Sequence, residues 1–260
     1  MKKRLTGRLS RVALALLLTL PPAAAWAGAP IQLPAPLRGG GAPLMEALAQ
    51  RHSSREFAPT KLSPQLVSNL LWAAAGINRP ESGGRTVPSA MNWQEIDIYL
   101  ATADGLFLYR PAEQQLEQVA DRDIRALTGQ QPFVAEAPLN LVFVADYGRM
   151  GEARAEEKPF YAAIDTGYIS QNVYLFCAAE GLATVARASL DGQALAKAMG
   201  LRPEQRVVLA QSVGYPRGEA VKPVATPVRK PAPKPAAEAP AESGGNEGKP
   251  KFTIAPAVDY

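Results

Sequence analysis

Residues 51–57 read Arg-His-Ser-Ser-Arg-Glu-Phe and hold the only histidine of a 260-residue chain. An arginine fork is planar, permanently charged and shaped for phosphate oxygens, and serine hydroxyls add short donors. Arg51, Ser53 and Arg55 alternate, so an extended backbone sets them on one face, with His52 beside them. Composition alone leaves two readings open: an anion site, or a solvated helix end. A second stretch, Pro88-Ser89-Ala90-Met91-Asn92, follows Gly83-Gly84 and forces an irregular turn ahead of a strand. The Asn92 amide offers a donor and an acceptor, which suits a ring edge carrying C=O and N–H groups. A loop with a capping asparagine is the plainer alternative. The third stretch is "GLATVARASLDG", residues 181–192. The small Ala188 and Ser189 would let a flat ligand approach backbone N–H groups. Alternatively, Asp191 simply caps the next helix.

The elements that must position these stretches follow from periodicity. Residues 43–51 suit a short helix with Pro43 at its first turn. "LSPQLVSNLLWAAAG" predicts a longer one: Ser63 caps, Pro64 opens, Leu66, Val67, Leu70, Leu71 and Ala74 share a face, and Gly76 stops it. "EIDIYLATADGLFLY" alternates and turns at Asp104-Gly105, the mark of a hairpin. Residues 121–128 suit a short helix. "PLNLVFVAD" is apolar enough for a strand buried on both faces. A long helix runs from about Phe160 to Glu180 and is closed by Gly181. A strand near Ala183–Arg187, a helix over 192–199 and the strand "RVVLAQSVG" complete the pattern. Helices interleave with strands, but a hairpin is present, so the fold class is α+β around a mixed or antiparallel sheet.

Composition sets the limits on function. Apolar residues make up 47% of the chain, enough for a sizeable core. The formal charge is +4. However, Lys2, Lys3, Arg4, Arg8 and Arg11 precede an apolar run from Val12 to Leu20, and Ala25-Trp26-Ala27 fits a cleavage site. Residues 1–27 are therefore expected to be a secretory signal of the threaded type, without an adjacent Arg-Arg pair, cleaved after Ala27. This implies a periplasmic or secreted protein. Those residues carry no acid, so the rest of the chain is near neutral and its basic pI gives no reason to expect nucleic acid. One cysteine, Cys177, excludes an internal disulfide and reads as a packing residue; one histidine argues against a multi-histidine metal centre. Residues 28–42 are a Pro/Gly-rich arm, 43–217 the folded domain, and 218–260 a Pro/Ala/Lys-rich tail expected to be disordered. Its "FTIAP" stretch is a candidate docking strand, and its prolines suit an envelope partner.

Taken in order, these stretches resemble the FMN-dependent nitroreductase family. "RHSSREF" is similar to the family's R-[RH]-S-x-[RK]-x-F motif, and "PSAMNWQE" to its P-S-x-x-N-x-Q segment. "DTGYISQNVYLFCAAEGLATV" is similar to its long central helix, and "VGYP" to its closing strand end. The resemblance covers about Leu44 to Pro216. The wording of "RTVPSA" and "NVYLFCAAEGLATV" leans toward the branch of SagB and the thiazole/oxazole oxidase-like dehydrogenases. The resemblance implies an intertwined α+β homodimer with FMN at the interface and a small-molecule substrate. By position, Arg51, His52, Ser53 and Arg55 would hold the phosphate and neighbouring oxygens. Pro88, Ser89 and Ala90 would line the ring or come from the partner's side, and Asn92 would face the pyrimidine edge. Backbone at Ala188 and Ser189 would lie beside the reactive N5 edge of the flavin.

Three departures stand out. The family's late basic residue, which completes the phosphate site, has Arg217, Lys222 and Arg229 as candidates here. The adjacent Lys-Tyr pair of the azoline-oxidising branch is absent, Lys158 and Tyr161 being near but not adjacent. Ala188 stands where many relatives have glutamate. The family commonly takes hydride from NAD(P)H, a cytoplasmic pool, so an exported member needs another reductant. Two functions are carried forward: an envelope oxidoreductase using FMN, and a non-catalytic flavin- or ligand-binding envelope module.

Overall fold

The computed structural model describes residues 29–218. The signal segment, the tail from residue 219 on with its "FTIAP", and Lys222 and Arg229 lie outside the described residues. In chain order the elements are β1 (Ile31–Gln32), α1 (Leu44–Gln50), α2 (Pro64–Ala75), β2 (Ile77–Arg79), β3 (Gly84–Arg85), β4 (Ile96–Thr102), β5 (Gly105–Arg110), β6 (Gln115–Ala120), α3 (Phe133–Glu136), β7 (Leu139–Asp146), α4 (Lys158–Glu180), β8 (Ala183–Arg187), α5 (Gly192–Met199) and β9 (Gln205–Gly214).

Seven strands form one sheet in the order β1-β6-β5-β4-β7-β9-β8, and every pairing in it is antiparallel. The sheet of the α+β fold is thus antiparallel and not mixed. β7 lies inside the sheet between β4 and β9, with all eight residues buried. Side chains alternate across the pleat. Leu139, Leu141, Phe143 and Ala145 face one core with Leu70, Leu71, Ile169 and Val173. Val142 and Val144 face the other with Tyr99, Leu195 and Met199. Full burial of each large apolar side chain contributes about 1.5–3 kcal/mol.

α2 and α4 cover the first face. Ser63 caps α2 by accepting the Leu66 N–H at 3.2 Å. α4 buries Ala162, Asp165, Thr166, Ile169, Ser170, Val173 and Cys177 along one stripe and ends at Gly181, φ 68°. Cys177 is fully buried and burial pushes its thiol up, as suits a packing residue. Where a turn was expected at Asp104-Gly105, a Cβ on Gly105 would sit 2.4 Å from the Ala120 carbonyl, so no other residue fits.

Some elements differ from the sequence reading. The hairpin is a meander, because β6 adds a third strand through Tyr109↔Leu116. Residues 121–128 form only a 3-10 turn, Arg125–Thr128, with the Asp123 carboxylate accepting the Arg125 N–H at 2.9 Å. The arm docks on α2: Ser68 Oγ donates to the Pro34 carbonyl at 2.6 Å, and the Leu37 N–H to Asn69 Oδ1 at 2.8 Å.

Candidate functional site

The Arg51–Phe57 segment runs extended along the outer edge of β8. The Ser54 N–H donates to the Thr184 carbonyl at 2.9 Å, and Phe57 bridges Pro216. Ser54 thus meets β8 at Thr184, while Phe57 and its neighbours pair antiparallel with the chain that follows β9. Thr184, Ala186 and Ala188 alternate, so their backbone groups point to that edge and away from β9. The first and third stretches of the sequence thus share one edge.

Tyr174 of α4 joins them. Its hydroxyl accepts the Ala186 N–H at 2.9 Å and lies 2.9 Å from Ser53 Oγ. The two hydroxyls share one hydrogen bond, and the serine oxygen keeps further hydrogen-bonding capacity toward the open side. The Arg51 guanidinium lies 5.3 Å from the Tyr174 ring centroid. Neither Arg51 nor Arg55 forms an ion pair among the described residues. His52 is exposed and its Nδ1 donates to the Gln50 carbonyl at 2.8 Å. Arg51 and Arg55, without ion pairs among the described residues, and the Ser53 hydroxyl are groups that could hold an anion.

Arg217 is not brought to that face. Its N–H reaches the Glu56 carbonyl, but its guanidinium pairs with Glu136 at 2.5 Å and lines a separate cavity with Phe57, Lys61 and Arg125. Ala188 and Ser189 are exposed, and Ser189 Oγ donates to Gln130 Oε1 at 3.1 Å. Asp191 caps α5 by accepting two N–H groups, so the plainer reading of that loop also holds.

The second stretch sits elsewhere on α4. The Ala90 N–H donates to Asp165 Oδ2 at 2.9 Å. Asp165 precedes Tyr174 by nine residues, about 14 Å along a helix. Within one chain, Pro88–Asn92 is therefore apart from the Arg51 edge. Ala90 is buried, and the half-buried Ser89 accepts the Gln94 N–H and donates to Glu95 through its hydroxyl, so within one chain both hold the segment from within. Pro88, Met91 and Asn92 are the exposed ones. Met91, Asn92 and Gln94 have φ of 49°, 52° and 49°. Non-glycine residues held there cost on the order of 1–3 kcal/mol each and concentrate at ligand sites. Lys158 donates to the Tyr147 carbonyl, and the Tyr161 ring packs edge-on to Trp93, so these two side chains make no acid/base pair.

Sequence reasoning missed Tyr174, Glu95, Asp165 and Arg187. Arg187 is buried with no carboxylate partner among the described residues, and burial lowers its guanidinium to about 10. It donates to the Thr128 carbonyl, Asn140 and Ser212, fixing the loop that reaches Ser189. A buried arginine at a strand end leaves no sequence signal; the tyrosine at mid-helix leaves one only once its neighbours are known.

The model of the nitroreductase family matches residues 48–215. A Methanocaldococcus jannaschii protein provisionally named a nitroreductase is 32% identical over 152 residues, 55% of this chain and 76% of its own. A crystal structure of a protein from Ralstonia eutropha, also provisionally named a nitroreductase, is 39% identical with a TM-score of 0.71. It covers 82% of this chain and 97% of its own. The NADPH:FMN oxidoreductase of Vibrio harveyi, 19% identical over 71% of this chain and 74% of its own, shares the fold with a TM-score of 0.51.

Proposed function

Because the chain belongs to the nitroreductase family, we propose that it is an oxidoreductase that holds FMN between two copies of itself and passes electrons to a small organic acceptor. The observation that carries this reading is the hydrogen-bonded chain of Ala186 N–H, Tyr174 and Ser53, beside Arg51 and Arg55, which form no ion pair among the described residues. These groups fit a phosphate: two charge-assisted donors and a hydroxyl. The Vibrio harveyi enzyme of the same fold is named for FMN, which supports this choice of ligand.

FMN bound there supplies hydride chemistry at its N5 atom. The residues of the chain bind and orient. Arg51, Ser53 and Arg55 anchor the phosphate end, and His52 lies beside them. The small Ala188 and Ser189 let the ring approach the strand edge, where the outward Ala188 N–H donates toward it. Asn92, exposed on its strained turn, faces the pyrimidine edge from the partner's side. The wording of the sequence leans toward the SagB-like branch, but without the lysine-tyrosine pair that azoline oxidation uses.

Two copies supply what one lacks, since the 88–92 segment stands apart from the anion site within a chain. An exposed apolar row on α4, Phe160, Ile164 and Tyr168, and Leu44, Met45 and Leu48 on α1 offer a surface for the second copy. The reading further places the protein in the periplasm or outside the cell, where NAD(P)H is scarce and another reductant serves. Its Pro-rich tail is placed there to meet an envelope partner.

The test is reconstitution. Purified protein stripped of ligand should bind added FMN and retain a flavin absorption band through gel filtration; colourless protein that cannot be reconstituted contradicts the reading. Tyr174→Phe removes the hydroxyl that Ser53 and the Ala186 N–H share, so Ser53 loses the partner that orients it. It should weaken FMN binding about fivefold to tenfold, the loss of about 1 kcal/mol expected for one hydrogen bond. An unchanged titration would remove Tyr174 from the site.

A further inference from the structure

Behind the 88–94 segment lie two buried carboxyl groups that the flavin reading does not use. Glu95, at the entry to β4, is 0% exposed and Asp165, on α4, is 3% exposed. Adjacent residues hold them, Ser89 through its hydroxyl and Ala90 through its N–H, so the two carboxyls lie side by side out of water. Two buried carboxyls so placed oppose each other's ionisation, which favours a proton on one of them. Burial raises both carboxyls, and burial together with the charge of Asp165 lifts Glu95 to about 7, so the proton is assigned to Glu95. Glu95 Oε1 is buried without a donor, which suits a neutral acid and not a carboxylate. Of the charged groups around the pair, Arg85 of β3 faces Glu95 and is itself flanked by Asp97, Tyr109 and Arg149. Asp165 faces no charged group but Glu95 among the described residues.

The pair grips the segment at two points. Asp165 Oδ2 accepts the Ala90 N–H at 2.9 Å. Glu95 Oε2 accepts the Ser89 hydroxyl at 3.3 Å, and that hydroxyl accepts the Gln94 N–H at 2.8 Å. Between these grips the backbone holds Met91, Asn92 and Gln94 at positive φ. A strained turn keeps its shape only while its anchors hold.

We propose that Glu95 and Asp165 are positioning residues, a carboxyl pair with one shared proton that clasps residues 88–94 in the shape that meets the cofactor and releases them when the proton is lost. The ligand rests on the flavin reading above; the clasp does not. The sign follows from linkage. A carboxyl raised in the folded state contributes fully below its ordinary value, and its contribution is lost as pH rises through about 7.

The test uses ligand-free protein at about pH 6 and about pH 8.5, either side of that value. FMN is titrated in and followed by quenching of its fluorescence. Amide hydrogen exchange at Ala90 and Gln94, corrected for base catalysis, is measured on the same samples without FMN. Wild type should bind FMN about tenfold more weakly at the higher pH, with faster exchange at both amides, whereas Glu95→Gln, neutral throughout, should hold both readouts within about twofold. Equal pH dependence in wild type and Glu95→Gln overturns the clasp. Should FMN fail to bind at either pH, the flavin reading falls and exchange alone decides the clasp. Asp165→Asn is the second variant: its amide oxygen still accepts the Ala90 N–H, but the facing charge is gone. The exchange transition should then move to lower pH, and an unmoved transition also overturns the proposal.

Discussion

Arg51→Ala combined with Arg55→Ala is expected to lower FMN affinity by at least about a hundredfold while leaving the fold unchanged. Hydrogen bonds from a charged donor contribute about 1.5–3 kcal/mol each, and about 2.7 kcal/mol is a hundredfold. The fold survives because neither guanidinium holds another side chain in an ion pair among the described residues. Arg51 contributes to α1 through its backbone, whose N–H reaches the Ala47 carbonyl at 2.9 Å, and alanine keeps that bond. Arg217→Ala is the internal control. Its guanidinium pairs with Glu136, away from Ser53, so its loss should change FMN affinity by less than about threefold, within the range of a surface ion pair. Flavin content after purification and a titration of the stripped protein measure both. Full flavin content in the double variant would refute the anion-site assignment, and a larger loss from Arg217→Ala would move the site to the Glu136 side.

Phe160→Glu with Ile164→Glu should convert a dimer to a monomer and remove the flavin with it. These side chains are 63% and 36% exposed, one turn apart on α4, with Tyr168, 45% exposed, one turn further. Glycine inside a helix costs about 1 kcal/mol relative to alanine. Gly167 lies exposed in this stretch, and apart from its chain neighbours and its own helix backbone no described atom comes within 4 Å of a Cβ built on it. In the proposed dimer a facing copy would approach the helix backbone there. Two carboxylates placed on that surface would each lose water without gaining a partner, a loss of several kcal/mol. The monomer itself should stay folded, because neither side chain belongs to the buried stripe of α4. Sedimentation and thermal unfolding together check this. A dimer that persists in the variant would place the interface elsewhere.

How far the sequence carried this account depends on burial. β7 was legible because "LNLVFVAD" is apolar at nearly every position, and such a run fits only a strand covered on both faces. α2 was legible because its cap, opening proline and closing glycine each have a local cause. β6 was not, because "QLEQVA" buries Leu116 alone and otherwise shows polar groups at partial exposure. The tyrosine hub was illegible for another reason. Ser53, Tyr174 and Ala186 are far apart in the chain, and only the pairing of the 51–57 segment with β8 brings them within 2.9 Å. Nothing in the sequence sets Glu95 and Asp165 apart: one stands before a strand and the other near a helix start. What makes them unusual is each other, and a pair of that kind exists only after α4 has packed against the β4 side of the sheet.

The central claim is that FMN is held at a site completed by two copies of the chain. Sedimentation of reconstituted protein, followed at once by protein and by flavin absorption, tests it most directly. The account predicts a single boundary at the mass of a dimer, carrying two flavins. Flavin moving at full occupancy with a monomer, or a dimer that sediments without flavin in the presence of excess FMN, would contradict it.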